Sequence, residues 1–381
     1  MASPKRRVLV TGVSRWWGAL TVRRLLEQKD VVEVVGIDTE DPGHDLGSAD
    51  FVRVDVRHSL IGKLVRAVGI DTVVHTATTI DSFDLGPRRA HEVNVIGTLN
   101  LLAGCAGQDS PVRRFVLKSS AHVYGSGFRL PAALREDRRL ATDSPHPFVR
   151  DMVEVESYVF EFALRNPEVA VLSLRFANSL NADEPQPLAR YLDLEVVPTV
   201  MGYDPPLQLI HRDDCVEALA AAVLRGETGA YNIAARHPLP LTRLLDDAGK
   251  LHAPLLPPVG LALTTSLLRR LGIAFLTPQL LDLIRWGRTL STARAERELR
   301  WRARLDTLEA YKEFVADRRV IPFRPDRRTY LYERELEEFI HSRAPARERT
   351  RTAANGSREP APEEAPRRPR PRHRRSPAPA R

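Results

Sequence analysis

Short runs of apolar residues alternate with longer amphipathic stretches over the first half of the chain. The short runs, rich in β-branched residues, predict strands at residues 7–11, 31–37, 51–54, 72–76, 115–119 and 169–175. The longer stretches have helical spacing and predict helices at residues 17–28, 59–68, 88–106 and 149–165. Strands that alternate with helices form parallel sheets through βαβ connections, so the pattern predicts an α/β fold with a doubly wound parallel sheet.

The regular alternation ends near residue 181, where five prolines between residues 185 and 206 indicate extended connections. We therefore expect a first domain over residues 1–180, to which residues 210–235 return. A smaller lobe that holds the substrate is expected mainly over residues 181–343. Residues 344–381 form a predicted disordered tail, because they are rich in proline and arginine and poor in apolar residues.

The tail also explains the charge of the protein. Residues 345–381 contain 11 Arg and 4 Glu, so they carry +7 of the formal net charge of +8. The rest of the chain is almost neutral, which argues against a folded face that binds nucleic acid. The tail either contacts anionic surfaces or stays solvated without a partner.

A glycine turn follows the first predicted strand, in the sequence TGVSRWWG at residues 11–18. Gly12 permits a tight turn, Gly18 permits close packing of helix on sheet, and the helix amino terminus favours a diphosphate. Arg15 replaces the middle glycine of the usual pattern, and its side chain either obstructs the phosphates or contacts them. The sequence predicts a Rossmann-type dinucleotide site that includes Gly12, Ser14, Arg15, Trp16, Trp17 and Gly18.

Asp38 ends the second predicted strand. A carboxylate at this place accepts both hydroxyls of an adenosine ribose and repels a 2′-phosphate, so it favours NAD over NADP. The alternative is that Asp38 only begins an acidic turn over residues 38–41.

Further motifs follow in a fixed order: DV at 55–56, VHTAT at 74–78, NVIGT at 94–98, SSAHVYG at 119–125, RFAN at 175–178, IHRDD at 210–214 and ELRW at 298–301. With the glycine turn, they resemble the extended short-chain dehydrogenase/reductases of the NAD-dependent epimerase/dehydratase family, which includes UDP-glucose 4-epimerase. The resemblance runs from about residue 7 to residue 314.

The resemblance implies a set of site residues. Those expected to contact the cofactor are Asp55, Val56, Thr76, Ala77, Thr78 and Asn94, and Ser120 matches the catalytic serine. Those expected near the substrate are Ser120, His122, Asn178 and Arg212, with Arg190 and Arg285 as further candidates. The resemblance also implies a nucleotide-sugar substrate, epimerase (isomerase) or oxidoreductase activity, and a homodimer formed through the helices at 88–106 and 149–165.

The resemblance fails at the reaction centre. The family's YxxxK pair exchanges a proton with a substrate hydroxyl, but Phe148 and Met152 stand at these two positions. Neither side chain can transfer a proton. Arg150 does not give up its proton, and Tyr158 lies almost three helical turns beyond Phe148. A free histidine side chain titrates near neutrality, so His122 and His146 are candidates, and either can be a site residue or a structural one.

Three functions therefore remain open: an NAD-dependent enzyme that uses other groups, a non-catalytic NAD-bound scaffold or sensor, and a reductase of an apolar, lipid-like substrate. The apolar stretch at 255–276 favours the last, although an ordinary packed lobe has the same composition. Neither Cys105 nor Cys215 lies in a cluster of zinc ligands, so no metal site is expected. The absence of a signal peptide and of a long apolar run predicts a cytoplasmic protein without a membrane span.

Overall fold

The computed structural model describes residues 5–79, 86–181, 186–256 and 277–320, which lie in one compact unit that ends at Val320. Its strands are β1 Arg6–Thr11, β2 Val31–Asp38, β3 Asp50–Arg53, β4 Thr72–His75, β5 Arg114–Ser120, β6 Ala170–Phe176, β7 Asn178–Leu180, β8 Val196–Val200, β9 Pro206–Leu207, β10 Leu209–His211, β11 Gly229–Ile233, β12 Leu239–Pro240 and β13 Leu251–Leu256. Its α-helices are α1 Trp16–Leu26, α2 Ile61–Val68, α3 Pro87–His91, α4 Gly97–Cys105, α5 Pro147–Arg165, α6 Pro187–Leu192, α7 Arg212–Leu224, α8 Leu241–Asp247, α9 Pro278–Trp286 and α10 Thr307–Val320.

Seven strands form the central sheet, in the order β11-β6-β5-β4-β1-β2-β3. Every neighbouring pair is parallel, which confirms the predicted doubly wound sheet. The strand order reverses between β1 and β4, and ligands of such sheets bind outside the carboxyl ends of the strands at that place. The fold therefore directs attention to Thr11 and His75, which end these two strands.

The central strands are buried because helices cover both faces of the sheet. All four residues of β4 are buried, as are the last four of β1 and the last six of β5. Strands buried on both faces consist of almost continuous apolar residues, which is why the sequence pattern located them so closely.

The helix predicted over residues 88–106 is interrupted. Its middle, Glu92–Ile96, is a π-helical turn between α3 and α4. The buried Asn94 lies in this turn, and its side-chain amide bonds the backbone of Thr79, accepting from the N–H at 2.8 Å and donating to the carbonyl at 3.0 Å. The wider turn thus joins the helix to the loop that follows β4.

A second, smaller hydrophobic cluster lies apart from the one around the sheet. It is formed by residues between Leu180 and Phe314, which include Tyr191 and Tyr311 as its largest fully buried side chains. Short two-stranded ladders, β7 with β10, β8 with β13 and β9 with β12, surround it. Helix α7 and strand β11 lead back to the main sheet. The predicted tail and most of the apolar stretch at 255–276 lie outside the described residues.

Candidate functional site

An open cleft lies at the carboxyl ends of β1, β2 and β4. Doubly wound sheets bind their ligands at this place. Of the residues expected from the sequence to contact a cofactor, those that line it are Gly12, Ser14, Arg15, Asp38, Asp55, Val56, Ala77 and Thr78. The structure therefore brings residues from four separate sequence motifs into one cleft, which we call the first cleft.

The two glycines of the turn are required by close contacts. Gly12 has a φ of +78°, and a Cβ placed there would lie 2.8 Å from both Cα and N of Ala77. A Cβ on Gly18 would collide with the carbonyl oxygen of Gly12. The turn after β1 therefore approaches the loop after β4 as closely as backbone permits, and the backbone of Gly12 lines the cleft.

Arg15 and the two tryptophans differ in their placement. Arg15 precedes α1 in an extended conformation (φ −103°, ψ 157°) that needs no glycine, and its exposed side chain lies at the rim of the cleft. Trp16 and Trp17 are buried and stack with ring centroids 4.2 Å apart. Their indoles do not line the first cleft, so contact with a ligand there falls to the backbone N–H groups in the first turn of α1.

The carboxylate of Asp38 is held in place at the end of β2. Its two oxygens accept hydrogen bonds from the backbone N–H groups of Ser14, at 2.8 Å, and Thr39, at 2.7 Å. Asp55 lies nearby, and a hydrogen bond from the Arg57 guanidinium lowers the pKa of the Asp55 carboxyl. This end of the cleft therefore presents a fixed carboxylate and an ion pair.

The loop after β4 is held by a buried polar network. Thr76 and Asn94 take part in this network and do not line the cleft, whereas Ala77 and Thr78 do. Lys118 is buried on β5, and its Nζ donates to the carbonyl oxygen of Thr78 at 2.8 Å. Sequence reasoning missed Lys118, although a lysine inside an otherwise apolar strand is a visible signal.

His75 completes this network below the cleft. Its Nδ1 lies 2.8 Å from the hydroxyl of Thr11, and its Nε2 lies 3.0 Å from that of Thr98. Burial, together with the positive charge of Lys118, lowers the pKa of His75 to about 3. This histidine is neutral and structural, and it fixes the carboxyl ends of β1 and β4 to α4.

A second, narrow cleft lies beyond the carboxyl end of β5 and shares no lining residue with the first. His122, Phe148 and Asn178 line it, together with apolar residues of α6 and α9. Ser120 ends β5, and its Oγ lies 2.8 Å from Nδ1 of His122. The structure thus places two of the four substrate candidates, His122 and Asn178, in one cleft and connects Ser120 to it.

The positions of the missing proton-transfer pair are both buried. Phe148 packs its ring against the edge of the His122 ring, with centroids 5.8 Å apart, and Met152 lies one turn further along α5. One more turn brings Glu156, which is fully buried and accepts hydrogen bonds from Ser119, Ser173 and Arg175. The sequence analysis did not single out Glu156, whose signal is a carboxylate on the buried face of an amphipathic helix.

The remaining arginine candidates lie elsewhere. Arg212 begins α7 with its Nε 3.6 Å from Asp213, and it lines neither cleft. Arg190 of α6 also lies outside both linings. Arg285 donates to the hydroxyl of Tyr203 at 3.1 Å and stacks over that ring. None of the three contacts the cleft that contains Asn178.

Comparison with known sequences decides the family. Residues 8–234, more than half of the chain, match the NAD dependent epimerase/dehydratase family. The chain belongs to this family. An uncharacterized protein of Mycobacterium tuberculosis is similar to this family member, with 34% identity over 320 residues that cover 83% of this chain and 85% of the other.

Solved structures show the same fold. A UDP-glucose 4-epimerase from Thermotoga maritima, solved with UDP-glucose, aligns with a TM-score of 0.62 and 20% identity over 82% of this chain and 99% of that one. A UDP-glucose-4-epimerase from Stenotrophomonas maltophila was solved with NAD and formylated UDP-arabinopyranose. It aligns with a TM-score of 0.63 and 20% identity over 83% of this chain and 99% of that one. The Rossmann-type architecture expected from the sequence is thereby confirmed.

Among the described residues of the family member, no helix combines the length and apolar character needed to cross a membrane. Likewise, no three or more His, Cys, Asp or Glu side chains of the described ranges are grouped as metal ligands.

Proposed function

We propose that the chain binds NAD in the first cleft and a nucleotide sugar in the second, as an epimerase-like oxidoreductase with altered proton transfer. The observation that carries the proposal is the position of Asp38 in a cleft at the point where the strand order reverses. Gly12 has no side chain, so its backbone is accessible to an approaching diphosphate. A Cβ at this position would meet the backbone of Ala77. The residues present therefore fit a dinucleotide.

The preference for NAD over NADP rests on the fixed carboxylate. Asp38 is tied to Ser14 and Thr39, so it cannot turn away from a ribose in this cleft. Two hydroxyls can donate to a carboxylate, whereas a 2′-phosphate would be repelled by it. Arg57 is already paired with Asp55 and offers a 2′-phosphate little compensation.

The nucleotide-sugar substrate is supported by the second cleft. Structural relatives were solved with UDP-glucose and with a formylated UDP-arabinopyranose. In this chain Asn178 and His122 line the second cleft, and Ser120 bonds His122. These residues give the cleft polar groups at its inner end, close to the carboxyl end of β5.

NAD, when bound, accepts or returns a hydride. The chain itself has to bind the substrate and move the proton of the hydroxyl that is oxidised. Phe148 has no oxygen and Met152 has no ammonium group, so neither can perform that step. Losing a general acid and base costs on the order of a hundred- to ten-thousandfold in rate, and efficient epimerisation through a tyrosine is therefore not expected.

Two other functions have an observation in their favour. Pro187, Leu188, Leu280 and Leu283 line the second cleft and would suit an apolar, lipid-like substrate of a reductase. The replacement of both proton-transfer residues would suit a non-catalytic NAD-bound scaffold or sensor.

We further propose that residues 1–180 with 210–235 bind the nucleotide, that 181–343 mainly bind the substrate, and that the protein is a homodimer. Ile96 and Leu164, which are 46% and 84% exposed, lie on the segments expected at the dimer interface. Two buried free thiols, Cys105 and Cys215, suit a reducing compartment, and we propose the cytoplasm.

Native mass spectrometry of the unheated full chain tests the proposal. We expect the mass of a dimer with NAD retained, a weaker complex with NADP, and an additional mass when UDP-glucose is added. A carried lipid would favour the apolar reductase, and NAD without turnover of any nucleotide sugar would favour the scaffold. A chain that binds no NAD at saturating concentration would contradict the assignment of the first cleft.

A further inference from the structure

The proton-transfer problem at the reaction centre has few local solutions. Tyr124 is the nearest tyrosine in sequence to Ser120, but its hydroxyl already donates to Asn232 and accepts from Arg175. Tyr158 bonds Glu154 near the far end of α5. Neither phenol lines the second cleft, and among the described residues the nearest candidates for a replacement are those that contact Ser120.

His122 is the side chain that touches Ser120. Ser120 Oγ accepts the backbone N–H of His122 at 3.3 Å and lies 2.8 Å from Nδ1 of the same residue. Because Ser120 Oγ accepts the backbone N–H of His122, the hydroxyl proton of Ser120 can be donated to Nδ1. No hydrogen bond from the described residues occupies the second lone pair of this oxygen, and Ser120, itself buried, is joined through His122 to the cleft that His122 lines.

We propose that Ser120 and His122 form the proton relay of this chain, in place of the missing tyrosine and lysine. This inference rests on the function proposed above. Ser120 contacts the reacting hydroxyl, and His122 acts through Ser120 as the final proton acceptor.

Oxidation of a carbinol by this relay breaks two bonds. NAD held in the first cleft would take the hydride, with both electrons, from the C–H bond. The hydroxyl O–H bond breaks and its proton goes to Ser120 Oγ, while the proton of Ser120 moves to Nδ1 of His122. The products are a ketone, a neutral serine, an imidazolium and NADH, and the reduction runs through the same steps in reverse.

The surroundings keep His122 in the form that the relay requires. Burial, with Arg288 and then His146 as nearby charges, holds the pKa of His122 well below its usual value. His146 is itself paired with Asp282 at 2.8 Å, and the neighbour on α5 is the uncharged Phe148. At neutral pH the imidazole is therefore unprotonated, and it is a weaker base than an ordinary histidine, so the relay favours return of a proton to a ketone over its uptake from a hydroxyl.

Three variants of the full chain separate a chemical role from a structural one, with NAD and UDP-glucose as probes. Ser120→Ala and His122→Asn should each lower the rate of nicotinamide reduction by at least about a hundredfold. The asparagine oxygen replaces Nδ1 as an acceptor for Ser120 but cannot take a proton. His252→Asn is the matched control, because His252 bonds Asp246 away from both clefts, and it should keep the wild-type rate.

The dependence of the rate on pH also separates a chemical role of His122 from a structural one. The wild-type rate should be constant above neutrality and should fall in acid, where His122 becomes protonated and can no longer accept. The His122→Asn variant should be slow at every pH, and its rate should no longer show the fall in acid. A variant that keeps the wild-type rate and profile would show that His122 is only structural.

The protonation of His122 can also be measured without any ligand, by nitrogen NMR of histidine-labelled protein. We expect Nδ1 to be unprotonated at neutral pH and its signal to shift in Ser120→Ala. A protonated Nδ1 would reverse the hydrogen bond and overturn the relay, even if native mass spectra show NAD and UDP-glucose bound. A lack of NAD binding would overturn the proposed function, and the relay with it.

Discussion

Replacing Glu156 with glutamine tests the buried network that holds α5 against β5 and β6. The side chain of Glu156 is 0% exposed, and that of its partner Arg175 is 5% exposed, with 2.6 Å between Oε2 and Nη2. Ser119 and Ser173 also donate to Glu156. The variant keeps size and shape but leaves the Arg175 guanidinium buried without a negative charge.

The expected cost follows from this geometry. Removing one partner of a buried ion pair costs about 3–5 kcal/mol, because the remaining charge is uncompensated. The compact unit spans Met1–Val320. At an unfolding entropy of about 2.1 cal/mol/K per residue, roughly 0.7 kcal/mol/K for a unit of this size, the loss corresponds to about 4–8 °C in Tm.

Thermal unfolding followed by circular dichroism measures the effect. Glu161→Gln is the control, because Glu161 pairs with Arg165 on the exposed face of the same helix and should cost no more than about 0.5 kcal/mol. The double variant Glu156→Leu with Arg175→Met should recover at least half of the loss, since it removes both charges. Equal shifts in Glu156→Gln and Glu161→Gln would refute the reasoning.

Three further changes have defined outcomes. Asp38→Ala should weaken the binding of NAD and lower the ratio of the affinities for NAD and NADP by roughly tenfold or more, as measured by isothermal titration calorimetry. An unchanged ratio of affinities would contradict the role of the carboxylate. Gly12→Ala should abolish NAD binding in the same assay, because its φ is positive and its Cβ would lie 2.8 Å from the backbone of Ala77. His75 has a pKa of about 3 in the folded protein and near 6.5 when unfolded, so the unfolded chain binds the proton first as pH falls. The unfolding free energy should therefore fall by up to about 1.4 kcal/mol per pH unit from pH 6.5 towards 3, and urea titrations of His75→Gln should show a shallower slope.

The fold was largely predictable because its strands are buried on both faces and consist of nearly continuous apolar residues. The β1 turn was also predictable, since Gly12 and Gly18 meet steric requirements that only glycine satisfies. The interruption between α3 and α4 was not, because it accompanies two hydrogen bonds between the Asn94 side chain and the backbone of Thr79, which lies in the loop after β4.

The site was predictable in its backbone and less so in its side chains. The sequence placed Trp16 and Trp17 at the cofactor, but it could not show that their indoles turn into the core, where they stack and where Trp17 meets Phe176. It marked Ser120 and His122 as separate candidates. Their hydrogen bond depends on the 3-10 turn Ala121–Tyr124, whose geometry leaves no mark in residue periodicity.

The anchoring of α5 by Glu156 affects how the chemistry of this site can change. The rotation of that helix about its own axis is set by a carboxylate that does not line either cleft. Positions 152 and 148 lie one and two turns before Glu156, so their side chains can be exchanged while the helix keeps its orientation. A tyrosine and a lysine installed together at these positions would point where Phe148 and Met152 point now. The helix that carries these two positions is thus held by contacts outside both clefts, so exchanging the two side chains leaves its anchor in place.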